Sequence, residues 1–148
     1  MGSKGVRKLN LGCGPYKQEG YVNIDKNPTF KPDIVRDLAR GIPFDSDTFS
    51  EVMCSHFFEH LDPDTFVWLL GEIYRVLCRN GILHIVVPLG LTDSTDHRMV
   101  FLETSLDTFC RPETSDYYQV KFSWSLLTKR RSNDGAGRPT LEVRMKKI

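Results

Sequence analysis

A glycine-rich turn, an aspartate and a set of histidines carry the chemistry that this sequence offers. Gly12-Cys13-Gly14-Pro15 follows the run Lys8-Leu9-Asn10-Leu11, the pattern of a strand entering a tight turn. Glycines at such a turn permit a close approach to the backbone N–H groups at the carboxyl edge of a sheet, which a side chain would block. The third glycine of the dinucleotide fingerprint is missing, because Lys17 occupies its place, and Pro15 removes a donor beside the turn. A pyrophosphate wants free N–H groups at a helix N-terminus. The turn therefore argues against NAD and is compatible with S-adenosylmethionine (SAM), which carries no phosphate. Asp25 ends a second strand-like run, Tyr21-Val22-Asn23-Ile24, where a carboxylate can accept hydrogen bonds from both hydroxyls of a ribose. It follows Gly12 by about 13 residues, against ~20 in dinucleotide folds, so the first crossover helix is very short or absent.

The histidines invite rival readings. His56-x-x-Glu59-His60 has the spacing of an inverted zinc-protease motif. That motif needs one continuous helix, whereas here a strand precedes His56 and Asp62-Pro63 starts a new helix, so no metal is expected. His97 lies in the polar loop Thr92-Asp93-Ser94-Thr95-Asp96-His97-Arg98, beyond the fifth strand. Loops at that edge of an open α/β sheet form acceptor sites, and an imidazole there can take a proton near neutral pH. A purely structural hydrogen bond is the alternative. His84, inside the fifth strand, reads as a core or sheet-face residue.

The elements that must position these groups are legible from periodicity. Asp33-Ile34-Val35 and Glu51-Val52-Met53-Cys54 read as the third and fourth strands. Gly81 to Val87 reads as a fifth, its near-continuous apolar run suiting a parallel strand covered on both faces. Phe66, Leu69, Leu70, Ile73, Tyr74 and Leu77 mark one face of a helix over 63–79, with Asp62 as N-cap and Pro63 at its first position. Asn80-Gly81 supplies the left-handed residue that ends it. Residues 118–128 and 139–147 read as a closing hairpin around the turn cluster at 132–137.

Composition sets the frame. The 148 residues fit one domain, 1–148, and are 40% hydrophobic and 26% charged, which argues against disorder. No apolar run approaches the roughly 20 residues of a membrane span. Met1 to Val6 shows neither a signal-peptide core nor a myristoylation pattern, so the expectation is a cytoplasmic protein. Cys13, Cys54, Cys78 and Cys110 form no C-x-x-C pair and read as free thiols. Residues 121–148 hold eight Lys/Arg against Asp134 and Glu142. That excess suits either an anionic partner or the solvated face of a hairpin.

From Leu9 to Pro88 the sequence resembles the class I SAM-dependent methyltransferases, particularly the type 11 group. The matching segments are Leu9-Asn10-Leu11-Gly12-Cys13-Gly14; Asn23-Ile24-Asp25; Asp37-Leu38 with Ile42-Pro43-Phe44-Asp45 and Thr48-Phe49; His56-Phe57-Phe58-Glu59-His60; and Arg75-Val76-Leu77-Cys78-Arg79-Asn80-Gly81. The resemblance implies an α/β, Rossmann-like open mixed sheet, mostly parallel, with a C-terminal antiparallel hairpin. The helices around the first strands, including an N-terminal one that would lid the cofactor, are reduced here. It implies SAM as cofactor, with Asn10, Gly12, Cys13 and Gly14 under the methionine and ribose. Asp25 would take the ribose hydroxyls, Asp37 and the Leu38 backbone the adenine, and Ser55 and His56 the methionine side. A neighbouring subunit is the expected cover over the shortened lid. Asn27-Pro28-Thr29-Phe30 is similar to the motif of amino-methylating nucleic-acid enzymes. It follows the second strand and not the fourth, which argues against a nucleic-acid base as substrate.

Methyl transfer from a sulfonium is an in-line displacement, so positioning and exclusion of water come first. His97 or His60 would act as base where the acceptor must lose its proton early. The expected acceptor is a small molecule or a carbohydrate-like metabolite. A non-catalytic SAM-binding or partner-binding domain, and an RNA or protein methyltransferase using the basic C-terminal strands, are the rival readings.

Overall fold

The computed structural model describes residues 7–148, so the reading of Met1 to Val6 lies outside the described residues. The strands are β1 (Lys8–Leu11), β2 (Tyr21–Asp25), β3 (Ile34–Val35), β4 (Phe49–Ser55), β5 (Leu77–Pro88), β6 (Trp124–Asn133) and β7 (Pro139–Lys147). They form one sheet in the order β3-β2-β1-β4-β5-β7-β6. The first five are mutually parallel, and β7 runs antiparallel between β5 and β6. This is the expected Rossmann-like mixed sheet with its C-terminal hairpin. The chain builds outward from β1 on one side and from β4 on the other. The order therefore reverses between β1 and β4, and a crevice opens at their carboxyl ends.

Helix α1 (Pro63–Val76) starts as its sequence dictates, with Asp62 accepting from the Thr65 amide at 2.9 Å and Pro63 in the first turn. Phe66, Leu69, Leu70, Ile73 and Val76 are buried, in one core with Leu9, Leu11, Val52, Leu83 and Ile85 of the sheet. The helix ends three residues before the expected position, because buried Leu77 already pairs with Phe49 at the start of β5. Asn80 does adopt a left-handed φ of 64°, but inside β5, where a register irregularity faces Phe49 and Glu51. A side chain at Gly81 would stand 2.8 Å from the Cys78 carbonyl oxygen, so the kink needs glycine there.

The expectation that β5 is covered on both faces is corrected. Its residues alternate between buried and half-buried from Gly81 onward. The connections between the first four strands hold only single 3-10 turns, Pro28–Phe30 and Leu38–Arg40. The face opposite the core is polar and tied across strands: Tyr21 donates to Glu51 at 2.9 Å, and His84 meets Glu142 at 3.1 Å. His84 is thus a sheet-face residue. The expected strand at 118–128 is also corrected. Glu113–Tyr118 forms a short helix, α2, and β6 begins at Trp124 and runs on to Asn133. The charged stretch Lys129-Arg130-Arg131 makes an exposed edge strand. Its cations pair with Asp107, Glu142 and Glu103, as the solvated-face reading requires.

A polar tie replaces the missing first crossover helix. Buried Asn23 accepts from Asn10 Nδ2 at 2.9 Å and from the Gln18 amide at 2.8 Å, and its own amide donates to Asp33 Oδ2 at 2.7 Å. That donation, together with one from the Asn23 side chain, holds the Asp33 carboxyl below the usual aspartate range. A lowered carboxyl contributes stability that is present above its unfolded value and is lost as pH falls through the folded one. Asp33→Ala is therefore expected to be less stable than wild type at pH 7, with the two converging in acid. Urea denaturation across pH checks this, and parallel curves would remove Asp33 from the tie.

Candidate active site

A cavity of about 980 Å³ occupies the crevice. Asn10, Gly12 and Cys13 line it from the end of β1, Ser55 and His56 from the end of β4, and the loop carrying Thr92 and His97 from beyond β5. Backbone geometry explains the turn. Gly12 has φ 64°, and a side chain there would come within 2.3 Å of Phe57 Cδ2. The glycine at 12 is thus required by the chain's own packing, with the Phe57 ring filling the space. Gly14 also has positive φ, yet nothing stands within 4 Å of its missing side chain, which leaves its side open to a ligand.

Asp25 organises this end. Its Oδ2 accepts from the Gly14 amide at 2.9 Å and its Oδ1 from the Asn27 amide at 2.8 Å. One carboxylate thereby fixes the glycine turn and keeps lone pairs for further donors. The Cys13 thiol is buried, and burial first, then the Asp25 and Asp33 charges, push its pKa up, so it is a neutral wall. Asp37 and Leu38 do not reach the lining. The Asp37 side chain caps the 3-10 turn by accepting from the Ala39 amide at 3.0 Å, and the Leu38 side chain is in the core.

The opposite end is built on the 3-10 turn Phe58–His60. The Glu59 carbonyl accepts from the amides of Arg98 at 2.7 Å and Met99 at 3.1 Å. Those two bonds bring a loop distant in sequence against the turn, with the His60 and His97 rings edge to face at 4.9 Å. His97 Nδ1 pairs with Thr92 Oγ1 at 2.8 Å. Its pKa is lowered, chiefly by burial and then by the His60 charge. Burial likewise lowers that of His56, whose left-handed φ of 51° is costly for a residue with a side chain. Both favour the neutral imidazole, the form that accepts a proton.

Glu59 stands out. It is 1% exposed, lines the cavity, and neither carboxylate oxygen has a hydrogen-bond partner. Burial raises its pKa to about 7. His56 Nδ1 and His60 Nε2 lie 3.8 Å and 3.7 Å from its Oε1.

The structure thus gathers Asn10, Gly12, Cys13, Ser55, His56, His60 and His97 around one cavity; Gly14 and Asp25, hydrogen-bonded to each other next along the chain from Cys13 and Ile24, do not line it, and neither do Asp37 and Leu38. Sequence reasoning missed the hairpin tip, where Asp134, Gly135, Ala136 and Arg138 form a wall. Its turn residues were visible; their folding back over the sheet edge was not.

Comparison with known proteins agrees with the fold. The family described as "Methyltransferase domain" matches residues 9–85. A SAM-dependent methyltransferase of Methanosarcina mazei superposes with a TM-score of 0.67 at 13% identity, over 99% of this chain and 94% of that one. The 1,6-didemethyltoxoflavin-N1-methyltransferase of Burkholderia thailandensis, solved with 1,6-didemethyltoxoflavin and S-adenosylhomocysteine, gives 0.65 at 16% identity, over 97% and 72%. A curated relative, the DNA repair and recombination protein RadA of Methanoculleus marisnigri, is 27% identical over 129 residues, or 87% of this chain. The chain spans 31% of that relative's length.

Proposed function

The chain belongs to the methyltransferase-domain family, and from that premise we propose that this SAM-dependent methyltransferase acts on a small-molecule acceptor bound between its cofactor end and its histidines. The observation that carries the reading is the single cavity at the sheet reversal. It has an aspartate-braced glycine turn at one end and, at the other, His97, whose burial favours the neutral imidazole, beside His60.

Each group has a role. Asp25 takes the ribose hydroxyls, while Gly12, Cys13, Gly14, Asn10, Ser55 and His56 wall the rest of the cofactor. Asp37 and the Leu38 backbone, outside the cavity lining, would meet an adenine that reached beyond it. Bound SAM would supply a sulfonium methyl group, whose in-line transfer to the acceptor nucleophile would leave a neutral thioether. His97, with His60 beside it, receives the acceptor proton. Ion pairing of Lys129, Arg130 and Arg131 within the fold supports a small acceptor over a nucleic acid. Tyr16 and Leu91, 78% and 89% exposed at the cavity rim, favour a cover supplied by a second copy, which light scattering with and without SAM tests.

Release of S-adenosylhomocysteine on addition of small hydroxyl or amine acceptors tests the assignment; release with none of a broad panel counts against it. Asp25→Ala is expected to weaken SAM binding by at least ~1 kcal/mol, because a charged acceptor is lost. Unchanged calorimetric affinity would take Asp25 out of the site.

A further inference from the structure

The acceptor end of the cavity holds a constellation that acid–base chemistry alone does not account for. One ligand atom each from Glu59, His60 and His97 lie within 4.8 Å of one another. We propose that these three residues bind a divalent first-row transition-metal cation whose open coordination positions face the cavity.

Three independent features point there. The Glu59 carboxylate is buried, lines the cavity and has no hydrogen-bond donor on either oxygen. A buried carboxylate left so is costly unless something positive meets it. The two imidazoles also have their other nitrogens occupied. His97 Nδ1 pairs with Thr92 Oγ1 at 2.8 Å, and His60 Nδ1 faces the Asp96 carboxylate at 3.3 Å. That arrangement leaves the Nε2 atoms to meet a cation, His60 Nε2 already facing Glu59 Oε1, and fixes each ring, as metal-binding histidines require. Asp96 is itself held by a bond from the Ser94 hydroxyl. Finally, the backbone bonds from Arg98 and Met99 to the Glu59 carbonyl lock the His97 loop to the turn that carries the other two ligands.

Distances allow it. Bonds of about 2.0–2.2 Å place ligand atoms roughly 3–3.5 Å apart. His60 Nε2 is already 3.7 Å from Glu59 Oε1, so small side-chain rotations close the set. Two imidazoles and one carboxylate suit Zn²⁺, Co²⁺, Mn²⁺ or Fe²⁺ better than Mg²⁺ or Ca²⁺, which favour all-oxygen shells. The H-x-x-E-H spacing pointed to a helix-borne site that the fold does not build. The third ligand comes instead from His97, 37 residues after His60.

The use of the site rests on the proposed methyl transfer; its existence does not. An acceptor hydroxyl at an open position would lose its proton to solvent more readily. Its oxygen then forms the O–CH₃ bond while the S–CH₃ pair returns to sulfur, giving a methyl ether, S-adenosylhomocysteine and one released proton. The cation takes over the activation otherwise assigned to a histidine base.

The test uses the full chain, stripped with chelator and titrated with Co²⁺ alone, followed by visible absorption and calorimetry. About one equivalent should saturate it, with binding at least ~10-fold weaker in Glu59→Gln and in His97→Ala. Glu59→Gln keeps the side-chain size, and its thermal unfolding without metal verifies the fold. No saturable binding, or equal binding in the variants, overturns the site. A parallel SAM titration separates the two claims. Co²⁺ binding without SAM affinity upholds the site and overturns its use in methyl transfer. SAM affinity without Co²⁺ binding overturns the site and leaves the methyltransferase assignment standing.

Discussion

Gly12→Ala is expected to abolish measurable SAM binding and to lower stability by about 2–5 kcal/mol. A left-handed backbone costs a residue with a side chain about 1–2 kcal/mol, and forcing volume into packed space adds about 1–3 kcal/mol. The new methyl group would lie 2.3 Å from Phe57 Cδ2 and 2.5 Å from Cγ, so the ring must move. Phe57 sits between His56 and the turn bearing Glu59 and His60, so the strain disturbs both ends of the cavity. Gly14→Ala is the control for stability: its φ is also positive but no protein atom stands within 4 Å, so its loss of stability is the backbone cost alone. The double change Gly12→Ala with Phe57→Ala should recover part of the loss in a mutant cycle. Urea denaturation and SAM calorimetry check the series. Equal losses of stability from the changes at 12 and 14 would show that the Phe57 contact does not matter.

His97→Ala should leave SAM affinity within about twofold of wild type and slow methyl transfer by about 100-fold or more, the usual scale for loss of a positioned proton acceptor. The geometry gives the reason for the split. His97 contacts Thr92 and the His60 ring, away from the glycine turn, so the loss falls on the reacting end. In the cation-bound form the same change removes a ligand, and the Co²⁺ titration tells the two causes apart. Equal turnover in both proteins would remove His97 from the chemistry.

The parts of the fold legible in the sequence were those with local codes. Asp62-Pro63 announced the start of α1, the period of Phe66, Leu69, Leu70 and Ile73 gave its buried face, and Gly12 and Asp25 ended their strands where the segments suggested. The end of α1 was misplaced because Tyr74 and Leu77 continue the helical period, although Leu77 is buried in β5. The hairpin was shifted for the opposite reason. Lys129 to Asn133 shows no apolar alternation, because an exposed edge strand pairs through its backbone and needs no buried side. The open polar sheet face was hidden behind the apolar spelling of β5, whose Ile82, His84 and Val86 are only half-buried.

The candidate site was half legible. Asn10, Gly12, Cys13, Asp25, Ser55 and His56 sit close to strand ends, and strand ends can be read. The buried, unpartnered state of Glu59 could not be, because it depends on a loop held to the Glu59 carbonyl by two backbone bonds. Asn23 looked like one more strand residue, yet it ties Asn10, Gln18 and Asp33 where a crossover helix would stand.

The most direct test of the central claim is calorimetric titration of the purified chain with SAM and with S-adenosylhomocysteine. The cavity and its aspartate-braced turn predict saturable micromolar binding of both, weakened in Asp25→Ala. Absence of binding by either ligand would contradict the assignment of this crevice as the cofactor site.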